Sequence, residues 1–289
     1  MTQFLQSLLD ASNSFDVAVL DQWGVLHDGT NPYPQAIQAL HDLRAAGKDV
    51  LVLSNSGKRA DLNRKRIADL GLPVDAISQV ITSGEAAWLD LTEGRITAAG
   101  RGAFTVLPLC AAPSDAVNWL GDAATITLAQ SLDNSVDALL LMGLPDNSPD
   151  DVHDDLFRAA LERDLPCICS NPDKLGIRAN GMVRSPGQLA ADYETAGGNV
   201  IWYGKPYSSV FEAVRRLHPD LLADRFLMVG DSLEHDIAGG NTAGFQTAFV
   251  RGGIHANAFA ASQDLAATLA QLTADQTNTQ PTYSLAMLA

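Results

Sequence analysis

The sequence predicts an α/β protein: a parallel-sheet core with a second α/β unit inserted into it. Three observations lead to this class. Short apolar runs without polar alternation, such as Val17-Ala18-Val19-Leu20, read as strands covered on both faces. Segments with helical apolar spacing alternate with those runs through short connections. The alternation changes character after residue 91 and resumes at residue 202, which marks a discontinuous core over 1–91 and 202–289 and an insert over 92–201.

The first strand, 17–20, ends at Asp21 and runs into the turn Gln22-Trp23-Gly24-Val25-Leu26-His27-Asp28-Gly29. A helix follows over 34–46: Ile37, Leu40 and Leu43 recur at helical spacing, Pro34 suits its start and Gly47 its stop. Residues 49–53 form the next strand, ending at Ser54-Asn55-Ser56-Gly57. A helix over 60–70, a short strand over 79–81 and a helix to residue 91 complete the first stretch. In the insert, 103–109, 138–142 and 166–169 read as strands, the last ending at Ser170-Asn171-Pro172-Asp173. The segment 146–155 is rich in aspartate and reads as a solvated loop leading into a helix over 152–162, and Gly197-Gly198-Asn199 supplies the exit linker. The last third resumes with a strand over 200–203, then Gly204-Lys205-Pro206, and a helix over 208–217. A strand over 225–229 ends at Gly230-Asp231-Ser232, and a helix over 234–243 and a strand over 247–250 follow. The stretch beyond Thr273 carries no readable pattern.

A chain of 289 residues is long enough for two domains and a sizeable core. Hydrophobic residues at 46% and charged residues at 18% place it among globular proteins rather than disordered ones. The formal net charge of −15 argues against nucleic-acid and anionic-membrane partners, which need clustered Lys and Arg. It also means that a site for an anionic substrate must be made locally positive by a metal ion, a lysine or helix N-termini. Cys110, Cys167 and Cys169 are an odd count without metal-ligand spacing and read as reduced structural residues of a cytoplasmic protein. The first fourteen residues lack the basic-then-apolar order of a signal peptide, and no apolar run approaches the ~18 residues that a membrane span needs.

Four strand ends carry polar groups: Asp21, Ser54, Lys205 and Asp231. In a parallel sheet such ends converge at one edge. Two carboxylates offer oxygen ligands for Mg²⁺, which takes few protein ligands and keeps water and substrate phosphate. A hydroxyl and a lysine complete a clamp for a phosphoryl group.

With these residues the chain resembles the haloacid dehalogenase (HAD) superfamily, in four ordered motifs: Asp21-Gln22-Trp23-Gly24-Val25, Ser54-Asn55, Gly204-Lys205-Pro206 and Gly230-Asp231-Ser232-Leu233-Glu234-His235-Asp236. The insert between the second and third motifs, with Ser170-Asn171-Pro172-Asp173, resembles the type IIA, NagD-like branch. The resemblance implies a three-layer α/β/α core with an inserted C2-type α/β cap that shapes the leaving-group pocket. It implies a Mg²⁺-dependent phosphatase of a small phosphorylated metabolite, and it leaves homo-oligomerisation open. By the same resemblance, Asp21 is the nucleophile and becomes an aspartyl-phosphate. Ser54 and the Asn55 backbone bind the phosphoryl oxygens, and Lys205 neutralises the surrounding anions. Asp231, Asp21 and the Trp23 carbonyl hold the metal, and Asp236 supports them. Asn171 and Asp173, at a strand end, either face the substrate or form the turn there.

One position departs from the family pattern. The phosphatases of the superfamily carry an aspartate two residues after the nucleophile, where it protonates the leaving group and later activates water; this chain has Trp23. A general acid–base contributes about 10²–10⁴ in rate. The substitution therefore implies substrates with good leaving groups, a borrowed proton donor near His27 or Asp28, or a catalytically reduced metabolite- or protein-binding protein.

Other chemistries lack their motifs. Ser56-Gly57-Lys58-Arg59 is not a P-loop, Gly239-Gly240-Asn241-Thr242-Ala243-Gly244 is not a dinucleotide fingerprint, and the six histidines show no zinc-ligand spacing.

Overall fold

The computed structural model describes residues 2–96, 103–145, 149, 151–178 and 181–289. The chain packs as two compact units. The first comprises Met1–Ser54, Asp61–Ile81 and Lys205–Ala289; the second comprises Asn55–Ala60 and Thr82–Gly204.

The strands, in chain order, are β1 (Gln3–Phe4), β2 (Val17–Leu20), β3 (Asp49–Ser54), β4 (Gln79–Thr82), β5 (Phe104–Leu109), β6 (Ile126–Leu128), β7 (Ala138–Leu141), β8 (Cys167–Cys169), β9 (Leu175–Arg178), β10 (Gly181–Arg184), β11 (Val200–Trp202), β12 (Phe226–Gly230), β13 (Gln246–Val250) and β14 (Tyr283–Leu285).

The first unit is built on a seven-stranded sheet in the order β1-β14-β13-β12-β2-β3-β4. The pairs β12–β2, β2–β3, β12–β13, β13–β14 and β1–β14 are all parallel. Every residue of β2 and β12 is buried, as unbroken apolar runs require when helices cover both faces. From β2 the chain steps to β3 and β4; from β12 it steps the opposite way to β13 and β14. Right-handed crossovers then place Pro34–Ala45 and Ala60–Asp69 on one face and Leu233–Thr242 and Leu265–Gln276 on the other. The result is an α/β/α sandwich whose strand order reverses between β2 and β12, the place where such sheets bind ligands. The register sets Leu20 opposite both Val52 and Val229, so Asp21, Ser54 and Asp231 leave the sheet at nearly one level.

Beneath that edge, Leu233, Ile237, Phe249, Phe259 and Leu269 form a buried cluster. Each such side chain contributes about 1.5–3 kcal/mol by leaving water. The helix expected over 234–243 is instead a π-helical turn, Leu233–Ala238, followed by a short α-helix, Gly239–Thr242. The Ile237 N–H reaches back five residues to the Ser232 carbonyl at 3.2 Å. The Asp236 carboxylate accepts the Ser232 N–H at 3.0 Å, so this side chain turns back toward the strand end and widens the turn.

The stretch beyond Thr273, patternless in sequence, is the last turn of the helix Leu265–Gln276 and then β14. Asp264 caps that helix by accepting from the Ala266 and Ala267 N–H groups at 3.0 Å each. β14 enters the sheet between β13 and β1, with Tyr283 opposite Ala248 and Gln3. Its three residues are too few for a periodic signal. Buried Ser284, donating to the Phe249 carbonyl at 3.2 Å, fixes them.

The second unit has a five-stranded sheet, β11-β8-β7-β5-β6, with parallel pairing throughout, and a separate antiparallel hairpin, β9–β10. Its core gathers Leu109, Leu139, Leu141, Cys167, Cys169 and Tyr193 among others. All three cysteines are free, and Trp119 is buried with its indole N–H donating to the Gly84 carbonyl at 2.8 Å. The acidic stretch 146–155 lies partly outside the described residues; the helix after it is Asp154–Leu161. β6, the hairpin and the helices Pro113–Leu120 and Pro186–Thr195 are elements the sequence pattern did not show. Both of those helices open on a proline whose fixed φ suits a first turn. Among the described residues, no helix is long and apolar enough to cross a membrane.

Candidate active site

At the carboxyl edge of the first unit's sheet, two strand ends and a helical turn deliver carboxylates to one small volume. Asp21 follows β2, Asp231 follows β12, and Asp236 comes from the π-helical turn. One oxygen of each lies within 4.8 Å of the others. Lys205 enters the same volume. Its Nζ is 2.7 Å from Asp21 Oδ1 and 2.7 Å from Asp236 Oδ1, and the side chain is almost wholly buried.

The remaining contacts hold the carboxylates in place. Asp21 continues the sheet ladder, its N–H donating to the Val229 carbonyl at 2.9 Å. Asp231 Oδ2 accepts the Ile254 N–H at 2.8 Å. Asp236 has Lys205 2.7 Å from one oxygen and the Ser232 N–H bonded to the other. Two glycines make the cluster possible by close approach. A Cβ on Gly24 would lie 1.8 Å from Asp231 Oδ2, and one on Gly253 would lie 2.0 Å from the same atom. Gly253 and Ile254 were absent from the sequence reading; the Gly252-Gly253 pair just beyond a strand is the signal that marks them.

Burial and like charge dominate the electrostatics. Burial raises the Asp231 carboxyl to about 8, with the charges of Asp21 and Asp236 adding to it. Burial also raises Asp21, against the pull of Lys205. Burial opposes the Lys205 ammonium, but Asp21 and Asp236 outweigh it and hold the lysine charged above its ordinary range. Three carboxylates thus face a single ammonium, an excess of buried negative charge that a divalent cation would neutralise. Oxygen donors from Asp21 and Asp231 suit a hard cation such as Mg²⁺, and Asp236 lies in the same cluster with its carboxylate turned to Lys205 and the Ser232 N–H. The residues present therefore fit the cation.

Ser54 ends β3 at the same sheet edge. Trp23 stands in the turn after Asp21, and its indole is 44% exposed. Any Trp23 ligand would have to be its backbone carbonyl. His27 is buried; its Nδ1 accepts the Gly29 N–H at 2.9 Å, which places the ring proton on Nε2. Burial first, and then the charge of Arg66, lowers its basicity. Asp28 is exposed and closes its own turn, accepting from the Thr30 and Asn31 N–H groups at 2.8 and 2.7 Å.

Three of the sequence-selected residues meet in the second unit. Asn55 Nδ2 donates to Asp173 Oδ1 at 2.8 Å, and Asn171 Oδ1 accepts the Asp173 N–H at 3.2 Å. They form a connected polar group.

The family model for haloacid dehalogenase-like hydrolases matches residues 18–105, and a HAD-hydrolase-like model matches residues 202–275. No curated protein matches the chain. Among solved structures, a haloacid dehalogenase-like family hydrolase from Brucella suis 1330 is 24% identical, with a TM-score of 0.77, over 99% of this chain and 100% of that one. A possible sugar phosphatase of the HAD superfamily from Cytophaga hutchinsonii is 23% identical, with a TM-score of 0.74, over 99% and 98%. A p-nitrophenyl phosphatase from Archaeoglobus fulgidus is 21% identical, with a TM-score of 0.69, over 95% and 97%. These likenesses show a shared fold. The two family matches, in turn, fall on the stretches that supply Asp21 and Ser54 on one side and Lys205, Asp231 and Asp236 on the other, and on that ground the chain belongs to the haloacid dehalogenase superfamily.

Proposed function

We propose that this chain is a phosphoric monoester hydrolase acting on a small phosphorylated metabolite, with Asp21 as nucleophile and Mg²⁺ as its cation. The observation that carries the reading is the Lys205 ammonium held 2.7 Å from Asp21 while Asp231 stands in the same acidic cluster. A lysine so placed favours the ionised form of Asp21, against the effect of burial, and lowers the repulsion that an incoming phosphate dianion meets. The phosphatases among the similar structures support the same reaction class.

In the first half-reaction a carboxylate oxygen of Asp21 bonds to phosphorus. The bond from phosphorus to the leaving oxygen breaks, and that oxygen departs with the electron pair. In the second, water adds to phosphorus, the Asp21 carboxylate leaves, and the water proton passes to phosphate or solvent. Ser54 hydrogen-bonds the phosphoryl oxygens, and Lys205 stays protonated throughout. Asp21, Asp231 and the Trp23 carbonyl would hold Mg²⁺, which supplies charge neutralisation at the phosphoryl oxygens. Asp236 orients Lys205 from behind, and the NagD-like branch remains our subfamily assignment. Free cysteines accord with a cytoplasmic setting.

Trp23 favours a second reading, a ligand-binding protein with reduced turnover, because no carboxylate stands where the leaving group takes its proton. Phosphate release from p-nitrophenyl phosphate with Mg²⁺ decides between them. Turnover by the wild type and its loss in Asp21→Asn support the hydrolase. A silent wild type that gains activity as Trp23→Asp supports the binding protein, and activity retained in Asp21→Asn removes the nucleophile.

A further inference from the structure

Trp23 is a large aromatic side chain left 44% exposed, on a loop that is otherwise tightly made. Its neighbours on both sides belong to the acidic site. Asp21 is two residues before it, and Gly24, next to it, presses against Asp231. The indole therefore leaves the chain at the rim of that site.

The ring is also fixed there. Gly29, at φ +95°, lies under it: a Cβ at that position would sit 2.3 Å from Trp23 Cζ2 and 2.9 Å from Cε2. Residue 29 must be glycine for the indole to lie down on the backbone. The His27 ring meets the indole edge-on, with centroids 6.2 Å apart and planes at 71°. His27 is itself immobilised, buried with Nδ1 bonded to the Gly29 N–H. The Gly24 N–H donates to the His27 carbonyl at 3.0 Å and closes the loop on itself. One side of the indole is thus spent on Gly29 and His27, and the remainder faces outward without ordering cost still to be met. A rigid, open π-face is a preorganised binding surface.

We infer that Trp23 is a specificity-determining residue, a stacking platform that selects phosphate monoesters with an aromatic leaving group. The inference rests on the hydrolase reading and deepens it. The chemistry agrees with the geometry: when Asp21 bonds to phosphorus, an aryl leaving group departs as a phenolate, which carries the electron pair without first taking a proton. The residue that removes the proton donor is then the one that recognises the esters needing it least.

Binding and turnover are measured separately. Benzylphosphonate, in which carbon replaces the ester oxygen of phenyl phosphate, is titrated calorimetrically with Mg²⁺ into the full-length wild type, Trp23→Leu and Trp23→Phe. Cyclohexylmethylphosphonate and ethylphosphonate serve as saturated controls. Benzylphosphonate should bind the wild type about 5- to 10-fold more tightly than Trp23→Leu, with Trp23→Phe recovering most of the difference. Ethylphosphonate should bind all three proteins alike, and the cyclohexyl probe should lose less than the benzyl one. Equal losses for the two rings, or no loss for either, overturns the stacking platform. Hydrolysis of phenyl phosphate and acetyl phosphate by the same proteins reads the underlying reaction. Failure of the wild type to hydrolyse either one, with benzyl selectivity intact, removes the hydrolase and leaves an aryl-phosphate binder. Hydrolysis of both without benzyl selectivity removes the platform alone.

Discussion

Lys205 Nζ stands equidistant between Asp21 Oδ1 and Asp236 Oδ1, 2.7 Å from each. One buried ammonium thus joins a carboxylate at a strand end to another in a π-helical turn. Breaking a buried pair by removing one partner costs about 3–5 kcal/mol, because the other charge remains without compensation. Lys205→Met should be destabilised by about that amount near pH 8 and by less near pH 5, because the Asp21 carboxyl, raised by burial, takes up a proton more readily as pH falls. Urea unfolding at the two pH values measures this, and an equal loss at both would contradict the pairing.

Asp231 carries the second prediction. Its carboxyl, raised by burial to about 8, binds a proton more tightly folded than unfolded. Such a group contributes stability below the unfolded carboxylate pKa of about 4 and loses it as pH rises through the folded value. Metal-free wild type should therefore lose melting temperature relative to Asp231→Asn between pH 5 and pH 9. Mg²⁺ should restore the wild type most at the alkaline end and leave the variant unmoved. Parallel melting curves for the two proteins across that range, with and without Mg²⁺, would refute the assignment.

Gly24 carries the third. Its φ is +76°, and a Cβ there would fall 1.8 Å from Asp231 Oδ2. The methyl of Gly24→Ala must displace either the turn after Asp21 or the Asp231 carboxylate. We expect phosphate release to fall by about 100-fold, the scale on which a small misplacement of reacting groups is felt. Far-ultraviolet circular dichroism should remain that of the wild type, and full activity in this variant would show that the close approach has no role.

Far from the cluster, the Arg225 guanidinium grips Asp16 with two hydrogen bonds of 2.8 Å. This pairing first, and the Arg225 and Lys48 charges after burial's opposing effect, hold the Asp16 carboxyl below its usual range. A lowered carboxylate contributes stability above its unfolded pKa and loses it as pH falls through the folded one. The wild type should lose stability between about pH 4 and pH 2 more steeply than Arg225→Gln. Both residues are partly exposed, so the effect is small and should shrink in 0.5 M NaCl, as screened surface pairs do. Melting curves for both proteins at low and high salt measure it.

Much of the fold was legible in local sequence because the central strands of the first sheet are short, apolar in their interior and punctuated. Val17–Leu20 ends at an acid, Asp49–Ser54 at a hydroxyl, and Phe226–Gly230 at a glycine before an acid. The helix Pro34–Ala45 was equally plain, with proline at its start and apolar residues at helical spacing. Less was legible where an element borrows its stability from elsewhere. β14 is three residues long and exists because β13 and β1 pair with it. The π-helical turn carries helix-like residues, but its path follows the Asp236 carboxylate back to the Ser232 N–H. Gly253 and Ile254 attend Asp231 through backbone atoms, which no side-chain pattern announces.

By itself, then, the sequence determined the fold class, the strand ends at Asp21, Ser54 and Asp231 and the anomaly at Trp23, because burial on both faces and turn chemistry are local properties of the chain; the expectation that Lys205 follows a strand of that same sheet is corrected, since β11 pairs in the other sheet. The tertiary structure decided which charges share one volume. Strand order and register bring Asp21 and Asp231 together, the π-helical turn adds Asp236, and Lys205 enters from the chain after β11, a strand of the other sheet; the tertiary structure also decided that the Trp23 indole lies fixed and open on Gly29. The physical reason is range: backbone preference and hydrophobic pattern act over a few residues, whereas buried charges and ring contacts depend on atoms that only the completed sheet makes neighbours.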